Sequence, residues 1–290
     1  MIVLKAHAKI NLTLDITGIL DNGYHELAMI MQSVSLHDTL TISSDAETFS
    51  FTSTNSRLPL NDNNLIVKAA KLFFDKFSVP ENVRIHLKKR IPISAGLAGG
   101  SADAAAVLVG LNKLYGCNAS VEELQELGLS LGADVPFCIS GGTALCEGVG
   151  EIISPLPNIP DCYILIAKPP QSMSTPRAFS LFDSFVGYLP YIDNESVIKG
   201  IKNNDLDSLS PFLANKLQPI TEREHPIVNQ LVLIMSQSGA KASVMSGSGT
   251  AVYGIFDSRI IAEKCQNKLP KQTVSHITTP ASSGVTFTIR

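Results

Sequence analysis

Between residues 6 and 16 apolar and polar side chains alternate without interruption. Ala6, Ala8, Ile10, Leu12, Leu14 and Ile16 fall on one parity, and His7, Lys9, Asn11, Thr13 and Asp15 on the other. Successive strand residues point to opposite faces, so this pattern predicts a half-buried β-strand. Residues two apart share a face at a separation of about 7 Å, which sets Lys9 and Asn11 side by side on the polar one. Asp21-Asn22-Gly23 then gives a turn signal. Leu65, Ile66, Ala69, Leu72 and Phe73 recur at helical spacing, and residues 83–88 alternate again as a strand. An alanine-rich helix is predicted from Ser101, as its cap, to about Tyr115, and Ser120 with Glu123 forms a capping box for the helix after it.

Gly141-Gly142 and Gly148-Val149-Gly150 bracket a short strand, and Pro155, Pro157 and Pro160 mark a boundary before the apolar strand 163–167. The domain junction is placed there, giving domains 1–158 and 159–290. Beyond it the pattern predicts helices, one at 227–237, strands at 242–245 and 250–256 around a Ser-Gly loop, a helix at 260–269 and a terminal strand. This order suggests an α+β sandwich of ferredoxin-like type. No internal repeat or low-complexity tract interrupts it.

Composition narrows the function classes. The chain has 290 residues, 44% hydrophobic and 17% charged, with a formal net charge of -3. No basic run exceeds Lys88-Lys89-Arg90, so the chain lacks the electrostatic footprint of a nucleic-acid binder. The five cysteines, 117, 138, 146, 162 and 265, contain no C-x-x-C pair, which fits a reducing compartment and buried apolar roles. Lys5, His7 and Lys9 break the apolar start before a signal-peptide core can form, and no apolar run approaches the roughly 18 residues of a membrane span. A cytoplasmic protein with no membrane and no nucleic-acid partner is expected.

One segment carries phosphate chemistry. Pro92-Ile93-Ser94-Ala95-Gly96-Leu97-Ala98-Gly99-Gly100-Ser101-Ala102 follows a strand and opens a helix. Unpaired N–H groups at a helix N-terminus lie at the positive end of its dipole, and glycines let phosphate oxygens approach them. The segment is neither a Walker A loop nor a G-x-G-x-x-G fingerprint. Alone, it reads equally as a turn before a closely packed helix start.

Pro92-x-x-x-Gly96-Leu97-x-x-x-Ser101 resembles the second signature of the GHMP kinases, and Met245-Ser246-Gly247-Ser248-Gly249-Thr250-Ala251 resembles their third. Within them, Ala8-Lys9-Ile10-Asn11-Leu12, Gly23-Tyr24-His25-Glu26-Leu27 and Gly132-Ala133-Asp134-Val135-Pro136-Phe137 are similar to the branch acting on 4-diphosphocytidyl-2-C-methyl-D-erythritol. The resemblance spans nearly the whole chain. It implies a two-domain α+β fold, with an N-terminal β/α domain like the second domain of ribosomal protein S5 and a C-terminal ferredoxin-like sandwich. It also implies transfer of the ATP γ-phosphoryl to the substrate's 2-hydroxyl, in the non-mevalonate isoprenoid route.

The resemblance further assigns Asp134 as catalytic base with Lys9 beside it, a pairing that suits a hydroxyl proton leaving as a phosphoryl arrives. From the sequence alone, Lys9 reads also as a strand lysine facing water, and Asp134 as a helix cap. Tyr24 and Phe179 are expected to sandwich a cytosine whose edge His25 pairs, with Asn11, Thr175 and the loop Ser246, Gly247, Ser248 and Gly249 completing the substrate site. A turn aromatic and a core residue are the alternatives for Tyr24 and Phe179, and a tight hairpin for the loop. Relatives commonly carry Ser-Ser where this chain has Ser101-Ala102. Magnesium is therefore expected to arrive with ATP on its phosphates, with no metal held by the protein itself. A monomer or weak homodimer is expected. The rival readings are a homoserine- or mevalonate-type GHMP kinase and an RNA-binding β/α module.

Overall fold

The structure, a computed structural model, describes residues 1–21 and 23–289. Its elements run β1 (Ile2–Ile19), β2 (His25–Ser43), β3 (Ser50–Ser53), α1 (Leu65–Phe77), β4 (Arg84–Lys88), α2 (Gly99–Tyr115), α3 (Val121–Leu129), α4 (Val135–Ser140), β5 (Thr143–Gly148) and β6 (Ile152–Leu156). They continue with β7 (Tyr163–Lys168), α5 (Thr175–Asp183), α6 (Asn194–Lys202), α7 (Leu206–Leu209), β8 (Ala214–Asn215), α8 (Gln218–Glu224), α9 (Ile227–Ser236), β9 (Ala242–Met245), β10 (Val252–Phe256), α10 (Arg259–Gln266), β11 (Val274–Thr278) and β12 (Val285–Ile289). Of the predicted turn at 21–23, Asn22 lies outside the described residues. Gly23 has φ +81° and its N–H donates to Leu20 O at 2.8 Å.

β1 and β2 form one long antiparallel hairpin, from Ile2 opposite Ile42 to Ile19 opposite His25. The first sheet grows from it in the order β12-β1-β2-β4-β3, with β5 on β2, β6 on β5 and β8 on β1. β8 and β12 come from beyond residue 158, so the chain returns to its first sheet twice. The second sheet runs β11-β7-β10-β9 with every neighbour antiparallel. In order of appearance its strands stand 4-1-3-2, with α9 and α10 connecting around them, which is the ferredoxin-like sandwich expected.

Register shifts between His7 and Lys9, and again between Asn11 and Thr13, bend β1. A bulge sets two residues against one and re-aims the strand beyond it. Ile2, Leu4 and Ala6 accordingly face one core with α1 and α2, Ala8, Ile10 and Leu12 a second with β7 and β10, and Leu14 and Ile16 a third with α9.

The expectation that β1 is only half-buried is corrected. His7, Lys9, Asn11 and Thr13 are buried as well, at 8, 4, 0 and 0% exposure. Elements remote in sequence cover that face, and each polar group meets a partner there: His7 Nδ1 contacts Val34 O at 3.0 Å, and Thr13 Oγ1 donates to Asn194 Oδ1 at 2.5 Å. Buried polar groups are tolerated when so paired. Pro155 is also reassigned. It lies within β6, paired only to β5, where one strand side needs no N–H donor. No helix among the described residues is long and apolar enough to cross a membrane.

Candidate active site

The connection from β4 to α2 folds through three left-handed residues, Ser94 (φ +51°), Gly96 (φ +77°) and Ala98 (φ +53°). Gly96 admits no substitute, because a Cβ there would lie 2.0 Å from Ser246 O. The loop is sewn to β1 and to the connection between β9 and β10: Ser246 Oγ donates to Gly96 O at 2.9 Å, Ala251 N to Ala95 O at 3.1 Å, and Lys9 N to Leu97 O at 3.2 Å. Ser246 Oγ also accepts from Asn11 N at 3.3 Å. Its hydroxyl therefore acts as a pin between the two glycine-rich loops.

Ser101 does not cap α2. The helix starts at Gly99 behind Ala98, with no side-chain cap, and Ser101 falls in its first turn. The first helical N–H to find its i−4 carbonyl is that of Ala102, to Ala98 O at 2.8 Å. The N–H groups before it lie at the positive end of the dipole, the arrangement that binds an anion. A cap would have occupied those donors.

Beside this helix start runs a cavity of about 400 Å³. The loop from Pro92 to Ser101 lines it, together with Leu58, Asn63, Asn64, Asp134, Thr175 and Ser248. Ala102 turns into the core instead. Asn64 also caps α1, its Oδ1 accepting from Ile66 N at 2.9 Å.

Asp134, which lines the cavity, meets the buried Lys9. Lys9 Nζ donates to Asn11 Oδ1 at 2.7 Å and stands 3.5 Å from Asp134 Oδ1. Asp134 occupies the position before α4, yet its side chain accepts no bond from that helix. It turns toward the buried ammonium and keeps about a third of its surface open, with side-chain exposure of 36%. The sequence alternatives for both residues, solvent-facing lysine and helix cap, are thus absent. This is a carboxylate that can accept a proton, next to a cation fixed in depth.

The sequence reading missed a second buried charge cluster. Lys89 Nζ contacts Asp38 Oδ2 at 2.6 Å and Asp103 Oδ2 at 2.5 Å, all three side chains at 5% exposure or less. Asp38 Oδ1 accepts from Arg90 N and Ile91 N as well, fixing the entry to the phosphate loop. Burial by itself would depress the Lys89 ammonium, but the two carboxylates outweigh it and raise it. Burial raises Asp103 well above the usual carboxylate range, against the pull of Lys89. One cation thus serves two buried acids. Lys89 was visible only as part of a basic run, and nothing local ties it to Asp38, 51 residues away.

Thr175 and Phe179 lie on α5, and His25 opens β2. Thr175 Oγ1 lies 3.2 Å from Ser248 Oγ, tying α5 to the Ser-Gly loop. His25 and Phe179 stack with centroids 4.7 Å apart and planes at 26°. His25 Nε2 lies 2.7 Å from Asp183 Oδ1, and Phe182 meets the same ring edge-on at 5.8 Å. Tyr24 is 65% exposed at the rim. His25 lies on Phe179, and Asp183 is a further partner that the sequence did not single out. The spacing 179, 183 on a helix was the available signal.

Family models match the chain twice: GHMP kinases N terminal domain over residues 64–142, and GHMP kinases C terminal over 197–275. A 4-diphosphocytidyl-2-C-methyl-D-erythritol kinase of Lachnoclostridium phytofermentans is 44% identical over 267 residues, 91% of each chain. A crystal structure of a 4-(cytidine 5'-diphospho)-2C-methyl-D-erythritol kinase superposes with TM-score 0.81 at 30% identity, covering 96% of this chain and 99% of that one. A homoserine kinase from Cytophaga hutchinsonii shares the fold, with TM-score 0.75 at 19% identity over 99% of this chain and 97% of that one.

Proposed function

Because the chain belongs to the 4-diphosphocytidyl-2-C-methyl-D-erythritol kinases, a branch of the GHMP kinases, we propose a division of labour among its residues in that reaction. The protein phosphorylates the 2-hydroxyl of 4-diphosphocytidyl-2-C-methyl-D-erythritol with ATP, giving the 2-phosphate and ADP, in the non-mevalonate isoprenoid pathway.

In our reading ATP lies in the cavity with its phosphates on the open N–H groups at the start of α2. Asp134 accepts the hydroxyl proton as the substrate oxygen bonds to the γ-phosphorus, and the bond to the β,γ-bridging oxygen breaks to release ADP. Lys9 balances the charge that gathers on the phosphoryl oxygens and keeps Asp134 turned toward the acceptor, while Asn11 fixes the Lys9 ammonium from its other side. Among the described residues no group of three His, Cys, Asp or Glu is placed to hold a metal. Magnesium would come with ATP on its phosphates and water, where it would neutralise charge on the nucleotide. Tyr24, His25 and Phe179 form the cytidyl end, and Thr175 with Ser248 lies between the two ends. The unpaired cysteines suit a cytoplasmic setting.

The observation that carries this assignment is Asp134, a carboxylate at a helix start that leaves the helix uncapped to face a buried lysine. Asp134→Asn is expected to lower kcat by about 10²–10⁴-fold with ATP affinity nearly unchanged. Coupled ADP release and ATP titration measure the two quantities, and wild-type turnover in the variant removes Asp134 from the base role. The same assay over a panel of small alcohols, with cytidine diphosphate as competitor, separates this substrate from homoserine or mevalonate.

A further inference from the structure

We propose that Asp183 is a positioning residue that fixes the tautomer of His25, and so makes the cytidyl end prefer cytosine to uracil. The proposal rests on the cytidyl reading above. An ionised carboxylate only accepts hydrogen bonds, so the contact of Asp183 Oδ1 with His25 Nε2 at 2.7 Å places the hydrogen on Nε2. In the neutral ring Nδ1 then carries a lone pair and accepts. Among the described residues no hydrogen bond to Nδ1 competes for it.

The ring is also held in orientation. Phe179 covers one face, Phe182 abuts it edge-on, and Asp183 holds the distal nitrogen. All three come from one stretch of α5, at spacings that bring helical side chains together. With side-chain exposure of 12%, the imidazole has little freedom to turn. A carboxylate in the last turn of a helix faces the negative end of the dipole, an unfavourable place for it. Asp183 stands there, and its neighbour in space is the imidazole N–H.

Cytosine and uracil differ where such an acceptor reads them. Cytosine carries an amino donor at position 4, and uracil a carbonyl acceptor. An Nδ1 lone pair attracts the first and repels the second. Without Asp183 the imidazole can shift its hydrogen to Nδ1, which suits the carbonyl as well. Discrimination would fall even if stacking on the aromatic rings survived.

The test is binding of cytidine diphosphate and uridine diphosphate to the full-length wild type, Asp183→Ala and Asp183→Asn, with a two-bond ¹H–¹⁵N correlation of the His25 ring. We expect the wild type to prefer cytidine diphosphate by about tenfold or more and Asp183→Ala to keep less than about threefold preference. The KM for the cytidyl substrate should rise, with kcat at saturation and the KM for ATP changing less than about twofold. Asp183→Asn, whose amide oxygen still accepts from Nε2, should keep an intermediate preference. Asp183 is 51% exposed, and its replacement opens no core. An Nδ1–H tautomer in the wild type overturns the proposal, as does an unchanged preference in Asp183→Ala. If the wild type binds neither nucleotide, the cytidyl reading itself fails, and the ring spectrum still reports whether Asp183 sets the tautomer.

Discussion

The two ends of the site are built from different materials. At the proposed phosphate end the ligand-facing groups are main-chain N–H donors, and the side chains around them, Ser246, Lys89 and Asp38, hold the backbone in place. At the proposed cytidyl end they are side chains, Tyr24, His25 and Phe179, with Asp183 behind His25, gathered from a strand start and one helix and in part exposed. A backbone site is sensitive to any Cβ and tolerant of side-chain chemistry. A side-chain site is the reverse, since each group can be removed while the chain path persists.

Gly96→Ala should produce the largest effect in that contrast. Its Cβ would meet Ser246 O at 2.0 Å, and its φ is +77°. Left-handed backbone and overpacking together cost about 2–5 kcal/mol, which chemical denaturation measures alongside loss of ATP binding. Ala98→Gly, at φ +53°, should instead stabilise by at most about 1 kcal/mol, since glycine adopts that backbone freely. If both variants behave alike, the phosphate end is not governed by backbone geometry.

Tyr24→Ala comes next. Loss of one aromatic contact to a base costs about 1–3 kcal/mol, roughly 5- to 150-fold in KM for the cytidyl substrate, with ATP affinity and thermal stability nearly unchanged. A fall in stability as large as that of Gly96→Ala would mean that Tyr24 serves the fold instead.

The smallest effect concerns β1, the strand that joins the two ends. Burial lowers the pKa of His7 below its ordinary value, outweighing the bond to Val34 O. The unfolded chain takes up a proton near pH 6.5 while the folded protein resists it. The stability contributed by neutral His7 is therefore full above that pH and is lost as pH falls toward the depressed value, by at most about 1.4 kcal/mol per unit of depression. Urea midpoints from pH 8 to 5 should fall less steeply in His7→Gln than in the wild type. Equal slopes would remove His7 as the source.

Much of the fold was legible because its elements are locally consistent. The alternation of β1, the capping box at Ser120 with Glu123, and the glycine-rich approach to α2 each act within a few residues. Local patterns failed where distant chain segments supplied the environment. Ser101 had the chemistry of a cap, but contacts from Ser246 and Ala251 bring the loop through Ala98, which takes the cap position three residues earlier. The polar parity of β1 signalled solvent, and it is buried because Asn194 and the Ser-Gly loop close over it.

The sequence by itself determined the glycine-rich loop, its place before a helix, and the identity of Lys9 and Asp134, since these depend on residue type and short spacing. Only the tertiary structure decided that Lys9 is buried beside Asp134 across 125 residues, that Lys89 bridges Asp38 and Asp103, and that His25 is held by Phe179 and Asp183. Charge and ring pairing act through space, and a linear pattern carries no record of which distant segments folding brings within 3 or 4 Å.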